Sequence, residues 1–212
     1  MKKTLLQTTG CLLGLAISAW GQQGADVAIQ FGTLSAPSTI STTANFQQSL
    51  RGGTYFGFNG DVLIKRHFGI QGEVAWRTSQ GLYGGQLPFR PIFFAVNGIY
   101  ARRFNRWAGI EGLAGLGALS SRFYSNAATN CDFYGNCTNY QSSNHFMADF
   151  GGGIRLYAYR NFFVRPEARL YLIHNNVEFS SGRAVRYGLS IGYTFGGSRY
   201  GPGSFVGSSS KP

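Results

Sequence analysis

Between residues 184 and 195 the chain alternates without a break. Val185, Tyr187, Leu189, Ile191, Tyr193 and Phe195 stand on one parity, and Arg186, Gly188, Ser190, Gly192 and Thr194 on the other. Period two is the pattern of a strand with one apolar and one polar face, whereas a helix would scatter these residues around its circumference. Seven earlier segments read the same way: 25–34, 54–64, 68–77, 91–101, 107–120, 145–157 and 162–173. In 68–77, for example, Phe68, Ile70, Val74 and Trp76 oppose Gly69, Gln71, Glu73 and Arg77. The connections also alternate. Those around 65–67, 102–106 and 159–161 are tight, and 35–53, 78–90, 121–144 and 174–183 are long. An even number of strands with short turns at one end and long loops at the other predicts an all-β, eight-stranded antiparallel up-and-down transmembrane β-barrel, with periplasmic turns and extracellular loops.

Alternation does not say which face is inside. A lipocalin-like barrel would turn the apolar parity inward around a ligand and the polar parity out to water. Two features favour the opposite arrangement. The polar parity is built from Gly, Ser, Asn and Thr, and Lys65 is the sole lysine between Lys3 and Lys211. Its few charges carry both signs, Asp61, Glu73, Glu111, Asp149 and Glu167 against Arg77, Arg155, Arg165, Arg169 and Arg186. Balanced charges suit a closed lumen, because a desolvated charge needs a partner. These ten residues form the expected lumen charge network. Its bland function is a plug that holds the barrel; the alternative is a narrow ion-conducting channel. Eight strands leave an interior that side chains fill, which excludes a wide porin pore.

Composition points the same way. Charged residues make up 13% of the chain, about half the usual share, beside 31 glycines, 12 tyrosines and 18 phenylalanines. No apolar run after the N-terminus is long enough for a membrane helix, so a spanning chain must close its backbone hydrogen bonds as a barrel. Phe68, Tyr100, Trp107, Phe162, Tyr193 and Phe195 fall near the turn ends, and Phe56, Trp76, Phe94, Phe146 and Tyr187 near the loop ends. These are the expected interfacial girdles. Residues 1–21 read as a signal peptide, with Lys2 and Lys3, an apolar run over 11–19, and Ala19 and Gly21 around a cut before Gln22. The expected organisation is therefore signal 1–21, barrel 22–195 and a flexible periplasmic tail over 196–212, in the outer membrane of a Gram-negative-type envelope.

The pattern over 25–195 resembles the small outer-membrane barrels of the OmpA and OmpX type. The resemblance rests on patterning rather than a diagnostic motif. It implies an assembly signal at Tyr193 and Phe195, read by the barrel-assembly machinery, although here a Gly- and Ser-rich tail follows. Cys131 and Cys137 sit in the longest loop of an exported chain, which predicts a disulfide. The formal charge is +11, of which Lys2 and Lys3 carry two. Arg51, Arg90, Arg122 and Arg183 lie at loop bases, where guanidinium pairs well with lipopolysaccharide phosphates. Dispersed cations with an external address argue against nucleic acid.

Enzymatic chemistry finds little support. The lipid A deacylase family places His and Ser two residues apart on a lipid-facing strand, and no histidine here leads to such a serine: His67 is followed by Phe68-Gly69, His145 by Phe146-Met147 and His174 by Asn175-Asn176. His174 with Glu178 is the only weak His/carboxylate pair, read as two loop residues. The expectation is a monomeric, non-enzymatic barrel without cofactor or metal, in contact with outer-membrane lipid and lipopolysaccharide. It would serve envelope structure or surface interaction through its loops. A lipid A-modifying enzyme ranks behind the channel.

Overall fold

The computed structural model describes residues 24–195 except 38, 41–46, 66, 106, 126–129, 132–136, 160, 177, 180 and 181. The signal and tail expected from the sequence lie outside the described residues. Eight long strands run in chain order: β1 Gly24–Ser35, β2 Thr54–Leu63, β3 Phe68–Arg77, β4 Leu87–Arg103, β5 Ala108–Tyr124, β6 Tyr140–Tyr159, β7 Phe162–Ile173 and β8 Arg183–Phe195. Each pairs antiparallel with its neighbours in sequence, and β8 returns to β1. The seam is in register from Ala25 opposite Phe195 to Ser35 opposite Val185. The sheet is a closed up-and-down barrel, which leaves no strand edge along the seam.

The apolar parity faces outward. Val96, Leu116, Phe146 and Tyr187 are each more than half exposed, while Asp61, Gln71, Asn97, Asp149 and Arg165 on the other parity are buried. Among the described residues 27 large hydrophobic side chains are exposed. A water-soluble monomer does not carry a contiguous apolar surface of this extent. The lipocalin-like alternative is thereby reversed.

Three strands outrun the sequence expectation. β4 begins at Leu87 rather than 91, and residues Gly81–Tyr83 fold back on it as a hairpin, with Gly81 opposite Phe89. β5 continues to Tyr124, and β6 starts at Tyr140 rather than 145, pairing Tyr140 with Tyr124. The reason is local chemistry: 141–144 reads Gln-Ser-Ser-Asn, polar on both faces, so alternation has nothing to register. These residues lie beyond the apolar belt, where a strand needs only ladder hydrogen bonds. The five residues 140–144 at the loop end of β6 extend it by roughly 17 Å.

Glycine lets the narrow barrel close at two points that matter. At Gly192 on β8, an added Cβ would fall 2.7 Å from the Ala28 Cβ and against the Phe163 ring. Gly53, before β2, has φ of 81° and lies against the Arg77 side chain.

Candidate functional site

The lumen is filled by two linked layers of ion pairs. Nearer the turn end, Arg155 from β6 contacts Asp26 of β1 and Glu111 of β5, and its Nη2 lies 2.7 Å from Asp61 Oδ2 of β2. Arg165 from β7 reaches Glu111 Oε1 at 2.7 Å and Glu167 Oε2 at 3.0 Å. Gln71 donates to Asp61 Oδ1 at 2.7 Å. Nearer the loop end, Arg169 contacts Glu73 and lies 3.1 Å from Asp149 Oδ2. Arg186 lies 2.6 Å from Glu73 Oε1 and donates to Gln30 Oε1 at 2.9 Å. Asn97 donates to Asp149 at 2.8 Å.

Two residues tie the layers together. Glu167 faces Arg165 below and Arg169 and Arg186 above, while Gln71 donates to Asp61 and accepts from Arg169 at 2.9 Å. The guanidiniums all come from β6, β7 and β8 and reach across to acids mostly on the far strands. All eight strands thus contribute a polar side chain to one network. Each charge has opposite charges within contact distance, the condition under which a low-dielectric site tolerates ions.

Nine of the ten lumen charges named from the sequence meet here. Arg77 does not: its guanidinium stands at the loop end, 5.7 Å over the Phe89 ring. Its strand carries it past the acidic layers to a level lined by aromatics. Asp26, Gln30, Gln71, Asn97 and Tyr171 belong to the network and were not named as site residues from the sequence. Their inward parity was the signal that could have found them. Inward Phe93 also has a reason: it stacks on Tyr171 at 4.7 Å and 20°, beside Tyr55 at 5.9 Å. These three rings are at most 1% exposed and fill the lumen above the ion pairs. Tyr171 Oη also donates to Glu73 at 3.3 Å.

A second lid lies over the first. Phe179, carried by the loop between β7 and β8, is 1% exposed and packs on Phe89 at 5.1 Å, Tyr83 at 5.6 Å and Phe123 at 6.2 Å. Its neighbour Glu178 takes Ser143 and His145 on β6 as partners, and His174, weighed beside it in the sequence and read there as a loop residue, follows the end of β7. His145 Nε2 lies 2.9 Å from Glu178 Oε2 and 3.0 Å from Ser143 Oγ, and Ser143 donates to Glu178 Oε1. Residues 143 and 145 share the inward parity, which turns them toward the loop. A hydrolytic relay needs the carboxylate on the ring nitrogen opposite the one that serves the serine. Here both contacts fall on Nε2, and the three groups tie the loop to β6.

Burial alone would push the Glu178 carboxyl up. Hydrogen bonds from Ser143, its own backbone and His145, with the His145 charge, hold it below the ordinary carboxylate range instead. A group depressed by folding contributes stability above its unfolded value and loses it as pH falls through the folded one. The 174–182 loop is therefore expected to stay protected from proteolysis at neutral and mildly acidic pH, and to open only below the ordinary carboxylate range. Loop cleavage that is independent of pH down to that range and beyond would contradict the latch.

At the loop bases, Arg90 and Arg122 stand directly opposite each other on β4 and β5. Arg90 Nη2 donates to the Thr78 carbonyl at 3.4 Å, and Arg122 lies 4.9 Å over the Tyr140 ring. Arg51 and Arg183 are exposed beside β2 and β8, on the other side of the barrel. Tyr193 and Phe195 contact each other at 4.9 Å at the end of β8, with Phe195 about half exposed. The backbones of Cys131 and Cys137 pair directly in a short two-residue ladder.

No family model matches the chain, and no characterised protein sequence does. Solved structures do match. Ail, the attachment invasion locus protein of Yersinia pestis, solved in complex with the heparin analogue sucrose octasulfate, aligns over 82% of this chain and 99% of its own, with a TM-score of 0.53 and 14% identity. Neisserial surface protein A aligns over 82% and 98%, with a TM-score of 0.57 and 12% identity. This chain has their fold. A major outer-membrane protein of Thermus thermophilus aligns over 81% and 99%, with a TM-score of 0.51 and 10% identity. At such identities the likeness concerns strand number and closure, and the luminal residues of this barrel stand on their own geometry.

Proposed function

We propose that the chain is an outer-membrane β-barrel whose sealed polar lumen serves as a structural core, and whose long-strand side presents loops for envelope or surface contact. The observation that carries this reading is the inversion of the barrel, apolar outside and ionic inside. Lipid is the solvent that makes the outer face favourable, and closure satisfies every ladder hydrogen bond within it. The likeness in fold to outer-membrane proteins supports the same address. The extended ends of β4, β5 and β6 form a stiff support for the loop between β5 and β6. A Cys131–Cys137 disulfide belongs to this reading, and thiol labelling of the unreduced protein at these two positions should fail.

The expected behaviour is a heat-modifiable gel mobility of the unboiled protein, fractionation with outer membranes, and no reproducible unit conductance in a planar bilayer. A soluble periplasmic product would overturn the membrane reading. Unit conductance that changes on Glu73→Gln or Arg169→Gln would replace the sealed core with a channel. An acyl change in purified lipid A that is lost on His145→Ala would replace it with an enzyme.

A further inference from the structure

The three tight turns carry Lys65, Arg66, Arg102, Arg103, Arg106 and Arg160, and the sequence places no carboxylate among them. All eight acidic residues of the chain are elsewhere. Asp26, Asp61, Glu73, Glu111, Asp149 and Glu167 are buried in the lumen, and Asp132 and Glu178 belong to the long loops. Among the described residues, Lys65, Arg102 and Arg103 therefore stand at the turn end with no carboxylate in the same turns.

The surroundings of these cations specify their level. Lys65 and Arg102 are exposed, and their nearest outward neighbours are Phe68 at 58%, Phe104 at 59% and Trp107 at 56% exposure. The Arg102 guanidinium lies 6.0 Å over the Phe104 ring. The turns are held tightly to the barrel. Lys65 donates from its backbone to the Phe68 carbonyl at 3.0 Å, and Asn105 Oδ1 accepts from the backbones of Trp107 and Ala108 at 2.8 and 2.7 Å. Aromatic girdles of transmembrane barrels lie at the membrane–water interfaces, and Trp107 carries the polar ring N–H that favours the headgroup level. A cation one to three residues away on a short turn stays at that level, with a side chain too short to reach a distant layer.

We propose that the turn-end rim is a binding surface for the phosphate groups of anionic glycerophospholipids in the leaflet at that end of the barrel. This rests on the membrane reading above. Basic segments next to a bilayer are attracted to anionic headgroups, and guanidinium adds paired hydrogen bonds to phosphate oxygens. The surface would bias the lipids around the barrel and fix the depth at which its turn end sits.

The test uses the full chain folded in detergent, with phosphatidylglycerol or phosphatidylethanolamine added and bound lipid read by native mass spectrometry. The variant Lys65→Gln/Arg66→Gln/Arg102→Gln/Arg106→Gln is compared with Arg51→Gln/Arg183→Gln. Heat-modifiable mobility is recorded for each. Supporting results are a several-fold preference of the unmodified chain for phosphatidylglycerol, its loss in the turn variant with folding intact, and its retention in the loop-base variant. Equal retention of the two lipids overturns the proposal, as does a preference lost only in the loop-base variant. Co-sedimentation with purified peptidoglycan that depends on the turn cations, without lipid preference, also overturns it in favour of the cell wall. A chain that never becomes heat-modifiable removes the membrane reading itself, and this surface with it.

Discussion

Arg155→Met lowers the unfolding free energy by about 3–5 kcal/mol, the usual cost of removing one partner from a buried ion pair. The expected readout is an earlier urea midpoint for the barrel in lipid vesicles, with its slope unchanged. Arg155 is the hub of the lower layer, touching Asp26, Asp61 and Glu111. Its loss leaves three carboxylates with only Arg165 in contact with two of them. Asp61→Asn is expected to cost less, because it removes one acid from a layer in which acids outnumber guanidiniums. If Asp61→Asn proves the more damaging change, the hub has been assigned to the wrong residue.

Tyr171→Ala is expected to cost about 3–5 kcal/mol, as large-to-small changes of buried aromatics do. The ring is fully buried, stacks on Phe93 and forms part of the seal over the ion pairs. Tyr171→Phe keeps the stack and loses only the hydrogen bond to Glu73, for a cost of about 1.5 kcal/mol. Thermal loss of the folded gel band separates the two. Equal losses would mean that the hydroxyl, and not the ring, carries the seal. The alanine variant gives a second readout, since a seal made by the rings predicts faster solvent exchange of the β7 amides below them.

Strand number, pairing order and outward parity were legible because the membrane-level segments obey a two-residue period and carry almost no lysine. Asp149, Arg169 and Arg186 could be placed in the lumen for the same reason: a charge on the parity opposite a lipid face has nowhere else to go. Legibility ended where lipid no longer dictates side chains. The Gln-Ser-Ser-Asn stretch at the start of β6 extends a strand that apolar alternation cannot mark. The Glu178 contacts with Ser143 and His145 join a loop to a strand 35 residues apart, which no local pattern encodes. Arg77 failed differently. Its parity was read correctly, but parity fixes a direction and not a height, and at its height the lumen is aromatic.

The seam between β1 and β8 sets when this molecule is able to exist. Because Ala25 stands opposite Phe195, the first and last strands of the ring are nearly the whole described chain apart in sequence. No shorter piece is a smaller barrel: a chain lacking its final strand has two raw edges and an ionic interior open along one side. Such a contact order predicts slow, all-or-none folding that begins in earnest only after the last strand has been delivered. Until then the chain must be kept from pairing with itself or its neighbours, which makes the order of synthesis and closure a property written into this barrel's topology.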